Sequence, residues 1–341
     1  MSTTPSVQDL TVASTGPPRL HPLRFEPIIK QLIWGGRKLG TVLGKPIGAG
    51  SDFAESWEVS DHRAAVSRVA EGGLAGSTLR EIMIEHGTAL FGSAVGAREQ
   101  FPLLIKFIDA RQDLSVQVHP DDSLGRTLVD DNGKTETWVI LHAEPGSRIY
   151  AGLRPGVTRD AMVRAIEAGS VADLIHSFPA RAGDCIYIPA GTVHAIGAGV
   201  VLAEVQQMSD ATFRLHDWGR VGADGKPRQL HLDESLRAID FDAGPVEPIR
   251  TCAEPIAGGT RELLARSAYF ALERIRLDGP SHVGRSDRFT IVICLEGAAE
   301  VWSDGSKTEI RLGQTLLLPA ALGECSLLPT EAVTLLTCVV P

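Results

Sequence analysis

The chain has 341 residues, 43% of them hydrophobic and 22% charged, which is the composition of an ordinary globular protein with room for one large or two modest domains. Acidic residues outnumber basic ones by 42 to 33, and no dense Lys/Arg block could neutralise a run of phosphates. This balance argues against nucleic acid and anionic membranes as partners. It does not exclude a small anionic substrate, because net charge says nothing about the field inside one pocket.

Residues 1–20 are rich in Ser, Thr and Pro, and they contain neither a charged start followed by an apolar core nor a long apolar run. They predict a flexible polar tail on a cytoplasmic protein. The five cysteines include no Cys-x-x-Cys pair and lie mostly in apolar runs, which predicts buried free thiols rather than disulfides.

The next elements are mostly short strands interrupted by a few helices. Residues 23–60 give extended runs broken by glycines, whereas 76–95 and 158–177 space their apolar residues at three and four after a Ser or Thr, as amphipathic helices do. A third short helix is predicted at 233–239. From Phe101 onward, turn residues separate the strand-like runs LLIKFIDA, LSVQVH, TETWVILHA, DCIYIPA and VVLAEVQQ.

One segment of this β-rich chain occurs twice. GDCIYIPAGTVH at 183–194 has the same apolar rhythm and Pro-Ala stop as GQTLLLPAALGE at 313–324. We therefore predict two related barrels, with a first domain at 21–245 and a second at 246–341. The first copy ends in His194, but the second has Glu324 there and no histidine after His282, so the second barrel is predicted to lack the first one's site.

Candidate metal ligands concentrate around the strand-like run LSVQVH. In SVQVHPDD, Gln117 and His119 are two residues apart, so on a strand both side chains point to one face while Val116 and Val118 point to the other.

The segment DDNGKTETW then supplies an Asn-Gly turn signal and a strand on which Lys134, Glu136 and Trp138 share a face. A hairpin at this turn is expected to carry Glu136 back toward His119. His194 follows a further strand and a Pro-Ala-Gly turn.

Two imidazoles, one carboxylate and one amide oxygen suit zinc or another borderline divalent ion and leave coordination positions open. Open coordination positions favour a catalytic metal over a purely structural one. Either histidine alone would be read as an ordinary half-buried residue. The combination of Gln117, His119, Glu136 and His194 favours a metal site.

Several segments together resemble successive motifs of the type I phosphomannose isomerases of the cupin superfamily: KFIDARQDLSVQVHPDD, GKTETWVIL, IPAGTVHAIG and EVQQMSDATFRLHDWGR. QLIWGGRKL and AESWEVSD extend the resemblance over residues 21–235. It implies a mainly β fold of two cupin-type jelly-roll barrels with a few inserted helices, the second barrel degenerate. It also implies that Gln117, His119, Glu136 and His194 bind one catalytic zinc ion per chain.

The resemblance further implies interconversion of mannose 6-phosphate and fructose 6-phosphate through an enediol(ate), with a proton moved between C2 and C1. Arg214 in TFRLHDW and Lys134 match catalytic and substrate-binding positions of the family, and Trp138 is a further candidate substrate contact. The alternative for Arg214 is a surface ion pair with Asp210 or Asp217.

Two other functions stay open from the sequence. One is a different metal-dependent cupin enzyme, such as an oxygenase or a sugar epimerase that uses iron or manganese. The other is a non-catalytic sugar-phosphate sensor or a structural cupin. The general base is not identified by the sequence, and the chain is expected to be a monomer or a small homo-oligomer.

Overall fold

The computed structural model describes residues 20–222 and 225–341, so the predicted tail lies outside the described residues except for Leu20. The first barrel has an antiparallel six-stranded sheet, β1-β2-β5-β12-β7-β10, and a five-stranded sheet, β13-β6-β11-β8-β9, with β3 and β4 as a separate ribbon. Its strands are β1 (Ile28–Gly36), β2 (Phe53–Val59), β3 (Asp61–His62), β4 (Ala65–Val66), β5 (Leu103–Ala110), β6 (Val116–Val118), β7 (Glu136–Ala143), β8 (Arg148–Leu153), β9 (Ile175–Pro179), β10 (Cys185–Ile188), β11 (His194–Ile196), β12 (Val200–Gln207) and β13 (Phe213–His216).

The second barrel pairs a six-stranded sheet, β14-β15-β16-β23-β18-β21, with a four-stranded sheet, β17-β22-β19-β20. Its strands are β14 (Glu254–Ile256), β15 (Gly259–Arg266), β16 (Ala271–Leu277), β17 (Ser281–Val283), β18 (Thr290–Glu296), β19 (Ala298–Ser303), β20 (Ser306–Arg311), β21 (Thr315–Leu318), β22 (Cys325–Pro329) and β23 (Val333–Val339). The mainly β, two-barrel architecture is confirmed.

The two barrels repeat one strand order, as the duplicated segment predicted. In the first barrel β10 pairs with β7 and aligns Ile188 with Glu136; in the second, β21 pairs with β18 and aligns Leu318 with Thr290. Thr290 therefore occupies the place of the candidate ligand Glu136, and in the repeated sequence segment Glu324 stands at the position of His194. Among the described residues, the second barrel has no cluster of His, Cys, Asp or Glu that could hold a metal, which is the sense in which it is degenerate.

Each barrel is filled by an apolar core of its own. A third and larger core lies between the barrels, where outward-facing residues of the two six-stranded sheets meet. Ile105 and Val205 contribute from the first barrel, and Ile291 and Leu336 from the second, all of them buried. The two barrels thus share one continuous core.

The helices are α1 (Lys38–Thr41), α2 (Leu79–Phe91), α3 (Asp122–Val129), α4 (Arg159–Ala168) and α5 (Leu232–Ala238). The predicted helices correspond to α2, α4 and α5, and Thr78 and Thr158 cap the first two as expected. The prediction at 158–177 was too long, because α4 ends at the left-handed Gly169 and the chain soon enters β9. Within the described residues, no helix is both long and apolar enough to cross a membrane.

The cysteines are all free, and four of the five are buried, as predicted. The exposed one is Cys252. Burial raises the pKa of the Cys185 and Cys294 thiols to about 12, so both stay protonated at neutral pH and act as small apolar core residues.

Candidate metal centre

The five-stranded sheet brings three of the predicted site residues side by side. On β6, Gln117 lies directly between His194 of β11 and Arg214 of β13, because both strands pair with β6 at that position. Val116 and Val118 point the other way and are fully buried in a separate apolar cluster. The predicted alternation of this strand is confirmed.

Glu136 approaches from the opposite sheet rather than by the expected hairpin. The hairpin prediction was wrong, because α3 separates β6 from β7 and the two strands belong to different sheets. Asp121 starts that helix by accepting a hydrogen bond from Leu124 N. Glu136 still faces His119, across the inside of the barrel.

His119, Glu136 and His194 form a tight buried cluster. His119 Nε2 lies 3.4 Å from Glu136 Oε2, and His194 Nε2 lies 3.4 Å from Glu136 Oε1. One ligand atom from each residue falls within 4.8 Å of the others. All three side chains are at most 1% exposed.

Both imidazoles have their tautomer fixed by a backbone carbonyl. His119 Nδ1 donates to Ala211 O at 2.8 Å, and His194 Nδ1 donates to Thr192 O at 2.9 Å. The Nε2 lone pairs therefore point at the cluster, as they do in metal-binding histidines. Burial lowers the pKa of His119 well below its ordinary value and that of His194 to about 4, so both rings stay neutral and able to bind a cation.

The donor set fits a divalent cation. Neither carboxylate oxygen of Glu136 receives a hydrogen bond from the described residues, although Lys134 Nζ lies 3.0 Å from Oε2. Gln117 places its amide 3.2 Å from His194 Nε2, and a half-turn of the amide would present its oxygen instead. The Lys134 ammonium, which also lies 2.9 Å from His119 Nε2, compensates part of the Glu136 charge. The carboxylate lone pairs that no hydrogen bond uses are available to a divalent cation.

Two charged residues that the sequence did not single out lie beside this cluster. Lys106 on β5 and Glu204 on β12 are directly paired, and Lys106 Nζ lies 3.3 Å from Glu204 Oε2. Glu204 Oε1 is also 3.8 Å from Lys134 Nζ. The available signal was a charged residue in the middle of each of two apolar-rich strands, Lys106 in LLIKFIDA and Glu204 in VVLAEVQQ. A charge that is buried in this way needs a partner or a function.

The pKa values of this pair move in the same direction for different reasons. Burial, then repulsion from Glu136, raises the pKa of Glu204 to about 7. Burial alone would lower the pKa of Lys106, but the carboxylates of Glu204 and Glu55 outweigh it and raise this pKa. Lys106 therefore remains an ammonium, while Glu204 in the protein without metal titrates near neutral pH.

Arg214 does not form the ion pair that was its alternative reading. Asp217 pairs with Arg220 and Arg228 instead, and among the described residues no carboxylate lies within ion-pair distance of Arg214. Arg214 donates from one terminal nitrogen to Gln229 O at 2.8 Å, while its buried Nε has no partner. The guanidinium thus retains donors for a ligand.

These groups surround one cavity of about 320 Å³, near the lower end of the range for small-molecule sites. Trp138 borders it and packs edge-on against His194, with ring centroids 5.3 Å apart. The charged or amide residues that line it are Glu55, Lys106, Gln117, Lys134, Glu136, Glu204, Asp210, Arg214 and Arg228. The cavity therefore joins Gln117 and Glu136 of the candidate metal site to four cationic side chains.

Two jelly-roll barrels, one of them enclosing a His-Glu-His cluster, define a protein of the cupin class with a candidate metal centre.

The sequence matches the family model of the phosphomannose isomerase type I catalytic domain over residues 23–137, and that of the mannose-6-phosphate isomerase cupin domain over 260–330. A mannose-6-phosphate isomerase from Bacillus subtilis is 36% identical, over 90% of this chain and 96% of its own. One from Streptococcus mutans is 32% identical, over 88% and 92%. The crystal structure of a Bacillus subtilis mannose 6-phosphate isomerase matches with a TM-score of 0.85 and 30% identity, over 93% of this chain and 99% of that one. The chain therefore belongs to the type I phosphomannose isomerase family, a family of enzymes, as its motifs predicted.

Proposed function

We propose that this protein interconverts mannose 6-phosphate and fructose 6-phosphate. The observation that carries the proposal is a cavity where Glu136 of the candidate metal cluster lies beside Lys106, Lys134 and Arg214. A purely structural metal would have no use for adjoining cations, whereas a sugar phosphate and an enediolate both need them. The names of the relatives support the same substrate.

The proposed cofactor is one zinc ion held by Gln117, His119, Glu136 and His194. Two neutral imidazoles, a carboxylate and an amide suit zinc, and the buried carboxylate supplies charge compensation. When bound, the ion would polarise the sugar oxygens at C1 and C2 and so favour loss of the C2 proton.

The remaining groups divide the proton transfer and the charge stabilisation. Glu204 is the proposed base: it takes the proton from C2 of the aldose and returns it to C1, while a proton passes from O2 to O1. Lys134 stabilises the enediolate through its ammonium, which is held beside Glu136 and Glu204.

Arg214 is proposed to bind an anionic oxygen of the substrate with its unpaired Nε, and Trp138 to form an apolar wall for the sugar ring. We propose residues 21–245 as the catalytic domain and 246–341 as a domain without metal ligands. The proposed setting is the cytoplasm, with a small sugar phosphate as partner and no nucleic acid or membrane.

The reaction in deuterium oxide distinguishes the isomerase from the alternatives. Zinc-loaded protein given mannose 6-phosphate should form fructose 6-phosphate, detected by NMR, with carbon-bound deuterium taken up through the enediol(ate) and no oxygen consumed. Glucose 6-phosphate as the main product would favour an epimerase. Oxygen uptake would favour an oxygenase, and binding without turnover a sensor.

A further inference from the structure

The segment that carries Lys134 is irregular, yet its backbone is firmly held. Residues 131–135 join α3 to β7 without helix or strand structure. Three successive amides in it are nevertheless hydrogen-bonded: Gly133 N to Asp122 Oδ1 at 2.9 Å, Lys134 N to Pro120 O at 3.0 Å, and Thr135 N to Gln207 Oε1 at 2.9 Å. Two of the three acceptors are side chains, so the position of Lys134 depends on how those side chains are oriented.

Asp122 is the centre of this arrangement. Its Oδ1 accepts from Gly133 N and from Gln207 Nε2, the latter at 2.9 Å. Its Oδ2 accepts from the hydroxyl of Tyr269 at 3.0 Å. The carboxylate thus orients Gln207 and the Lys134 segment together, and Tyr269 fixes the carboxylate.

Gly133 packs closely against the backbone of Asp121 and Asp122. A Cβ at this position would lie 2.5 Å from Asp122 N and 2.6 Å from Asp121 C, so the segment is pressed directly against the start of α3. A rotation or shift of Asp122 is therefore passed to the neighbouring Lys134 rather than absorbed.

Tyr269 comes from the other barrel. It lies in the turn between β15 and β16, where Ser267 Oγ accepts from Tyr269 N at 3.1 Å and from Phe270 N at 3.2 Å. Burial, then the hydrogen bond to Asp122, raises the pKa of the phenol, so Tyr269 remains a donor at neutral pH. A preformed turn of the second barrel thus reaches Asp122, the acceptor of the Gly133 amide.

We propose that Tyr269 is a positioning residue for the active site: through Asp122 it holds the Lys134 ammonium beside Glu136 and Glu204, so the degenerate barrel contributes to catalysis in the first. This inference rests on the proposed function for its kinetic consequence. It does not require Tyr269 to touch the substrate.

The first test is Tyr269→Phe in the full-length, zinc-loaded protein. The variant keeps the ring and removes the donor, so kcat for mannose 6-phosphate should fall about tenfold through misplacement of Lys134, with KM and zinc content near wild type. Tyr150→Phe is the matched control, because Tyr150 is a partly buried tyrosine that packs on Trp218 in the first barrel. An unchanged kcat for Tyr269→Phe would overturn the proposal.

A double-mutant cycle with Asp122→Asn separates positioning from general destabilisation. If Tyr269 acts through Asp122, adding Tyr269→Phe to Asp122→Asn should lower kcat little further. Fully additive losses would show that Tyr269 acts by another route and would overturn the proposal. Asp122→Asn also carries the test alone if Tyr269→Phe does not fold.

Hydrogen–deuterium exchange provides a readout that does not depend on activity. Amide exchange over residues 131–135 should be faster in Tyr269→Phe than in wild type or Tyr150→Phe, because the Gly133 and Thr135 amides lose their fixed acceptors. Unchanged exchange there would contradict the inference. A wild-type protein without turnover would contradict the proposed function instead, while the exchange result would still decide the role of Tyr269.

Discussion

Replacing His119 by alanine is expected to remove bound zinc and to reduce turnover of mannose 6-phosphate by about 1,000-fold. His119 supplies one of the two Nε2 lone pairs that face Glu136. Loss of an outer partner of a metal ligand already costs about 10- to 100-fold in affinity, so loss of the ligand itself should cost at least as much. Zinc per chain after dialysis, measured by elemental analysis alongside kcat, checks this result.

His282→Ala is the matched control for that substitution. His282 is an exposed histidine of the second barrel, outside the His-Glu-His cluster, so zinc content and kcat should stay at wild-type values. Thermal unfolding of both variants verifies that each is folded. If folded His119→Ala kept stoichiometric zinc, the proposed ligand set would be wrong.

Replacing Glu204 by glutamine is expected to lower kcat by about 1,000-fold while zinc stays bound. The amide has nearly the volume of the carboxylate but cannot take the C2 proton, and general base catalysis is typically worth about 10²- to 10⁴-fold. Zinc content should not change, because Glu204 is not among the proposed ligands. Steady-state kinetics with mannose 6-phosphate, combined with metal analysis, measures both quantities.

Glu58→Gln is a matched control, because Glu58 is a buried carboxylate paired with Lys45 at 2.6 Å that does not line the cavity. It should leave kcat close to wild type.

Wild-type kcat should fall as the pH drops through the pKa of Glu204, because only the deprotonated carboxylate can act as the base. This pKa lies near 7 without metal and lower once a cation neutralises Glu136. A Glu204→Gln enzyme with full activity would exclude this residue as the base.

Much of the site was predictable because its signals are local. The two-residue spacing of Gln117 and His119 places both side chains on one face of a strand. His194 follows a recognisable strand and Pro-Ala-Gly turn. Arg214 and Lys134 were found through their motifs. In the structure Gln117, Lys134 and Arg214 line one cavity. His119 and His194 lie behind it, against Glu136.

The missed features depend on pairings that a single sequence does not display. Lys106 and Glu204 become partners only when β5 and β12 align them, 98 positions apart in the chain. Helix α3 was missed because it is short and contains Gly125, a poor helix former. The reach of Tyr269 to Asp122 depends on how the two barrels pack.

The most direct test of the central claim is turnover of mannose 6-phosphate by one preparation in three states: as purified, stripped by a chelator, and stripped then resupplied with zinc. The proposed metal centre predicts that stripping abolishes formation of fructose 6-phosphate and that zinc restores it. Elemental analysis confirms the metal content of each state. Full turnover by protein verified to be metal-free would contradict the account.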